Sequence, residues 1–141
     1  MDLNGTTVLL TGASSGIGAA LAPQLAARGA TVGVVARRAE RLREVVAACD
    51  AAGGSGHRWW AVDLGDIAAA EQVVRDAQEA FGHVDVLVNN AAIPKRVPIT
   101  RMTTDELSET MRVNFESPAR MTLRLLPSML ERSRGLIVNV S

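Results

Sequence analysis

Three glycines, at positions 12, 16 and 18 of the run Thr11-Gly12-Ala13-Ser14-Ser15-Gly16-Ile17-Gly18, carry the first recognisable chemistry in this sequence. The apolar stretch 7–10 precedes them and the helix-favouring stretch 19–28 follows, so the local order is strand, glycine turn, helix. The start of a helix leaves backbone N–H groups without intrahelical partners and presents the positive end of the helix dipole, an arrangement that suits a phosphate or pyrophosphate. Gly12 can take a turn conformation closed to other residues, while Gly16 and Gly18 let backbone approach a ligand and helix approach sheet. Ser14 and Ser15 add hydroxyl donors. The spacing Gly-x-x-x-Gly-x-Gly departs from Gly-x-Gly-x-x-Gly, and no Gly-Lys-Ser/Thr follows, which removes a kinase or ATPase reading. Taken alone, such a cluster is also compatible with a plain tight turn.

Further polar residues follow three later apolar strands. Ala36-Arg37-Arg38 stands where a dinucleotide-binding chain commonly carries an acidic residue for the adenosine ribose hydroxyls. A guanidinium is shaped to hold a 2′-phosphate through paired hydrogen bonds, so Arg37, and after it Arg38, points to NADP(H) rather than NAD(H). A solvated helix start is the competing reading of both. Asp63-Leu64 follows the next strand, and Asp63 serves equally as a turn or helix cap. Asn89-Asn90-Ala91-Ala92 follows the fourth; a structural role suits Asn89, whereas Asn90 is the better ligand candidate. Cys49 is the only cysteine, and His57 and His83 stand apart in the sequence, so no metal site is expected. Trp59 and Trp60, adjacent on a strand, must point to opposite faces and read as packing residues.

These positions need a scaffold, and the chain alternates short β-rich runs with longer helical ones. Strands are predicted at 6–11, 31–35, 59–62 and 84–88, with helices at 16–28, 39–52 and 67–81 between and after them. Repeated βα units imply a parallel sheet, and nearly unbroken apolar strands imply helices on both faces: a doubly wound α/β sheet of Rossmann type. The first strand belongs at the centre, with the ligand at the carboxyl ends of the strands. A helix capped by Thr104 comes next, then a helix over 117–132 whose first turn suits Pro118 and which Pro127 should kink or end early. A fifth strand is predicted at 136–140. The 141 residues read as a single domain, without repeats or low-complexity tracts.

Fifteen basic and fifteen acidic residues cancel, and no basic block is present, so neither nucleic acid nor an anionic membrane is an expected partner. No charged leader or membrane-length apolar run occurs, which makes the cytoplasm the expected location.

Thr-Gly-Ala-Ser-Ser-Gly-Ile-Gly (11–18), Val-Asp-Leu (62–64), Asn-Asn-Ala-Ala (89–92), Val-Asn (113–114) and Ile-Val-Asn-Val-Ser (137–141) together resemble the classical short-chain dehydrogenase/reductase family in order and spacing. The resemblance implies an NAD(P)(H) oxidoreductase that moves hydride between nicotinamide and a carbonyl or alcohol carbon. By position it implies that Gly12, Ser14, Ser15, Gly16, Ile17 and Gly18 hold the cofactor phosphates and ribose, and that Arg37 holds the 2′-phosphate. Asp63 and Leu64 would meet the adenine, and Asn90, Ala91 and Ala92 the adenosine side. Asn114 matches the family's catalytic asparagine, which organises a water in the proton relay. Ala92 replaces a frequent family glycine.

The family resemblance also calls for a tyrosine made acidic by a nearby lysine, with a serine binding the substrate oxygen. The sequence has no tyrosine, its single lysine is Lys95, and Ser141 matches the first of a Ser-Ser pair whose second member is the catalytic one. The expectation is therefore the amino-terminal, cofactor-binding portion of such an enzyme, ending after the fifth strand and unable to catalyse alone. The complete protein would be a homo-oligomer acting on a small carbonyl or alcohol. A nucleotide-binding or partner-binding module without chemistry is the alternative.

Overall fold

The computed structural model describes residues 1–141. Strand β1 (Thr7–Thr11) leads through the glycine loop into α1 (Gly16–Ala27); β2 (Thr31–Ala36), α2 (Ala39–Ala52), β3 (Arg58–Ala61), α3 (Ile67–Phe81) and β4 (Val86–Asn89) follow. After a loop and a 3₁₀ turn at Ile99–Arg101 come α4 (Thr104–Met111), a π-turn (Arg112–Glu116), α5 (Ser117–Glu131) and β5 (Leu136–Asn139). The five strands are all parallel in the order β3-β2-β1-β4-β5, which puts β1 at the centre as expected.

Strand alternation divides the core into two layers. On β1, Val8 and Leu10 point to one face, joined there by Ala22 and Ala26 of α1, Leu42 and Cys49 of α2, and Val86 and Val88 of β4. Leu9 and Leu87 point to the other, where they meet Val73 and Ala77 of α3 and Met121, Leu125 and Met129 of α5. Both faces of the sheet are thus covered, which is why its central strands are continuous in apolar residues. Trp59 and Trp60 part as predicted. Trp59 packs on the first layer beneath Arg43, and Trp60 on the second, edge-on to Phe81 at 5.8 Å.

At the amino ends of the strands, the buried Asp85 gathers partners from several elements. It accepts from the Thr7 backbone N–H at 3.0 Å and from Arg132 at 2.8 Å, with His83 at 3.3 Å and Arg134 at 3.5 Å. Burial, the largest single influence, pushes the Asp85 carboxyl up, but the Thr7 and Arg132 hydrogen bonds together with the His83 and Arg134 charges hold it below the ordinary carboxylate range. His57 is likewise structural: its Nδ1 accepts from Val32 N–H at 3.0 Å and its Nε2 lies 2.9 Å from the Gly53 carbonyl.

Three local expectations need correction. Thr103, not Thr104, caps α4, in a capping box in which its hydroxyl accepts from Glu106 N–H and the Glu106 carboxylate accepts from Thr103 N–H. The helices at 104 and 117 are one continuous rod joined by the π-turn. Pro118 lies four residues beyond Asn114 and has no N–H with which to bond the Asn114 carbonyl, so the α-helical ladder cannot run through that point. Of the two outcomes expected at Pro127, a kink or an early end, the early end does not occur, since α5 continues to Glu131. Pro127 and Leu123, whose carbonyl loses its donor, are both exposed, so water can take the missing bond.

Candidate cofactor cleft

The carboxyl ends of β1 to β4 surround a cleft of about 420 Å³, within the roughly 300–1,000 Å³ typical of small-molecule sites. Gly12, Ser14, Ser15 and Ile17 line it from the loop after β1 and the start of α1, and Ala36, Arg37 and Arg38 from the end of β2. Val62, Asp63 and Leu64 reach it from the exit of β3, and Asn90, Ala91, Ala92, Ile93 and Pro94 from that of β4. Glu109 and Val113, one turn apart on the α4 rod, complete the wall.

The glycines divide their tasks. Gly12 has φ +66°, and a β-carbon there would stand 2.8 Å from Ala91 Cα, so this glycine lets the loops after β1 and β4 touch. Gly18 is buried, and a β-carbon on it would collide with the Gly12 carbonyl oxygen and lie 2.9 Å from Ala13 Cα and from Asn90 Nδ2. It is the contact of helix with strand. Gly16 has φ +54° and open space within 4 Å of the position a β-carbon would take. Neither Gly16 nor Gly18 lines the cleft itself.

Ser15 occupies the cap position of α1 without a capping side-chain bond, and the first turn holds no acidic residue. The N–H groups of that turn are therefore left for another acceptor. At the rim, Arg38 Nη2 donates to Ser14 Oγ at 3.3 Å while Arg37 is exposed beside it. Asp63 acts as a turn cap, its Oδ1 accepting from Gly65 N–H at 2.9 Å, and also lines the cleft. Leu64 is buried, and its carbonyl accepts from the Ser117 hydroxyl.

The two asparagines separate. Asn89 joins strands: its Nδ2 donates to Asn139 Oδ1 at 2.9 Å, leaving its own Oδ1 buried without a hydrogen-bond partner. Asn90 lines the cleft, but its Nδ2 donates to the Thr11 and Gly12 carbonyls at 3.2 Å, so its amino group braces the glycine loop. Thr11 Oγ1 completes that brace by accepting from Asn90 N–H at 3.0 Å and Ala91 N–H at 3.1 Å. Asn114 does not line the cleft. From the π-turn it clamps the loop that does, its Oδ1 accepting from Ile93 N–H at 2.7 Å and its Nδ2 donating to the Ile93 carbonyl at 3.0 Å.

Sequence reasoning left out Ala36, Val62, Ile93, Pro94, Glu109 and Val113. The first four flank residues already singled out and follow from strand ends alone. Val113 adjoins Asn114 in the Val-Asn motif, whereas Glu109 carries no local signal, because only the packing of the α4 helix brings it there. Lys95, in the same loop as Pro94, lies 3.6 Å from Glu106. The Thr103 N–H, with the Thr103 hydroxyl and the Lys95 charge, holds the Glu106 carboxyl below its usual range.

A protein-family model described as short chain dehydrogenase matches residues 6–141. The chain belongs to the short-chain dehydrogenase/reductase family. It is 39% identical over 142 residues to a fatty acyl-CoA reductase of Acinetobacter baylyi, covering 99% of this chain and 48% of that protein. A fatty acyl-CoA reductase of Mycobacterium tuberculosis is 38% identical over 143 residues, covering 100% of this chain and 48% of its own length. Among solved structures, a metagenomic short-chain oxidoreductase in complex with NADP superposes with a TM-score of 0.93 at 36% identity, covering 100% of this chain and 64% of that one. This short-chain dehydrogenase/reductase chain thus spans about half the length of the curated relatives it matches. No helix is long and apolar enough to cross a membrane.

Proposed function

We propose that this chain is the NADP(H)-binding portion of an oxidoreductase, in one Rossmann-type unit over residues 1–141, that moves hydride between nicotinamide and a carbonyl or alcohol carbon. One observation carries the reading: the uncapped start of α1 opens, with Ser14, Ser15 and Ile17, onto the same cleft whose rim holds Arg37 and Arg38. The residues fit the group. Free N–H groups and the helix dipole favour a pyrophosphate, and the open space at Gly16 leaves room for its approach. Two guanidiniums favour the 2′-phosphate. Asp63 and Leu64 are assigned to the adenine, and Asn90, Ala91 and Ala92 to the adenosine side. Asn114, assigned to the catalytic machinery, would act from the π-turn, beside the loop it clamps. The nicotinamide supplies the hydride chemistry; these residues bind and orient it.

The sequence holds no tyrosine, and its one lysine pairs with Glu106. No tyrosine–lysine proton donor faces the cleft, so turnover belongs to the whole protein, which we propose to be a cytoplasmic homo-oligomer. The test is calorimetric: the chain should bind NADPH more tightly than NADH, with a preference that Arg37→Asp removes and that high salt weakens. Equal wild-type affinities, or a preference untouched by the substitution, would overturn the assignment.

A further inference from the structure

We propose that Ser117 and Arg112 are positioning residues, which lock the turn after β3 to the π-turn so that the Leu64 wall of the cleft and the Asn114 clamp on Ile93 move as one body. The inference rests on the dinucleotide reading above. The turn over 63–66 is closed on itself, by Asp66 N–H to the Asp63 carbonyl at 3.0 Å and by Gly65 N–H to Asp63 Oδ1 at 2.9 Å. No backbone N–H reaches the Leu64 or the Gly65 carbonyl. Their partners are two side chains of the rod: the Ser117 hydroxyl donates to Leu64, and Arg112 Nε donates to Gly65 at 3.2 Å. Between these two in sequence stands Asn114, which holds the Ile93 backbone of the other loop. One short segment, 112–117, thus fastens both loops.

Neither donor has a competing task. Ser117 has helical backbone angles, φ −57° and ψ −54°, inside a continuous rod, so its hydroxyl caps nothing. It bonds Leu64 rather than the carbonyl one turn back, where a serine within a helix often turns. Ser117 is fully buried and Leu64 nearly so. Without the hydroxyl, the Leu64 carbonyl is left desolvated, and it regains a partner only if the turn shifts away from the rod. Arg112 lines an acidic cavity beside the cleft yet forms no ion pair with its carboxylates, so its one bond is the tether to Gly65. Neither Ser117 nor Arg112 lines the cleft itself. Their effect on a bound ligand is therefore one of placement, not of contact.

The experiment measures NADPH binding by calorimetry on the wild-type chain and on variants with unchanged circular dichroism. It also follows the Asn114 side-chain amide by NMR on saturation with adenosine 2′,5′-bisphosphate, which carries the adenosine half of the cofactor alone. Losing the buried hydrogen bond should weaken NADPH about tenfold in Ser117→Ala. The bisphosphate should move the Asn114 signal in the wild type and leave it in place in Ser117→Ala; a merely stabilising hydroxyl would lower the melting temperature and alter neither result. Arg112→Met and Arg112→Gln both remove the charge, but glutamine keeps a nitrogen where Nε stood. Methionine should cost about fivefold in affinity and glutamine should restore it; this pair decides alone if Ser117→Ala does not fold. Wild-type affinity in Ser117→Ala and Arg112→Met, equal affinity in the two Arg112 variants, or an Asn114 signal that the bisphosphate moves in neither or both of wild type and Ser117→Ala overturns the joint while leaving the cofactor reading intact. Wild type that binds neither NADPH nor the bisphosphate overturns both.

Discussion

Gly16 and Gly18 lie two residues apart in one loop, yet replacing each by alanine should have opposite consequences. At Gly16 the backbone is left-handed, so an alanine there costs about 1–2 kcal/mol, while its methyl meets nothing within 4 Å and adds no steric penalty. At Gly18 the backbone is ordinary and alanine gains up to about 1 kcal/mol of helix propensity. Its methyl, however, would press on the Gly12 carbonyl, on Ala13 and on the Asn90 carboxamide. Overpacking against backbone costs about 1–3 kcal/mol, and displacing Asn90 Nδ2 from the Thr11 and Gly12 carbonyls forfeits two hydrogen bonds worth about 1 kcal/mol each. The net loss for Gly18→Ala is then roughly 2–4 kcal/mol, greater than for Gly16→Ala. Binding should rank the other way, because a methyl at Gly16 stands in the open space at the helix start where a pyrophosphate would meet the N–H groups. Gly16→Ala should weaken NADPH by at least about tenfold. Urea unfolding and calorimetry on both variants decide it. Wild-type affinity in Gly16→Ala would refute the phosphate site, and wild-type stability in Gly18→Ala would refute the tight helix–strand contact.

Two further outcomes follow from titratable groups. With its carboxyl held low in the native state, Asp85 contributes stability that is fully present above the ordinary aspartate value of 3.8 and fades as pH falls through the lower native value. Asp85→Asn should cost about 3 kcal/mol at neutral pH and flatten the acid limb of the stability curve; an acid limb identical to wild type would refute this. Burial, and then the neighbouring Asp50 charge, push the Cys49 thiol up to about 11. Its reaction with a thiol reagent at pH 8 should therefore follow the unfolding rate, and rapid labelling of the native chain would contradict that.

What could be read from the sequence, and what could not, divides by the range of the interaction. The parallel sheet was legible because each strand is locally apolar and each helix locally punctuated. The glycine loop was legible because Gly12 and Gly16 have left-handed backbones that few other residues tolerate. The cap of α4 was misread: Thr103 and Glu106 have the capping-box spacing, but Thr104 offers a rival hydroxyl one residue later. The tolerance of Pro127 was not legible, because it depends on which side of α5 meets water. Asn90 shows the limit most clearly. Its residue type suits ligand contact and backbone bracing equally, and only the approach of β4 to the β1 loop turns its amino group toward Thr11 and Gly12. The same holds for Glu109, which resembles any surface glutamate along the chain. It becomes a wall of the cleft because the loop after β4, clamped by Asn114 through Ile93, carries the α4 rod back across the ends of the strands. A wall residue of this kind is set by tertiary packing, so no local pattern in the sequence announces it.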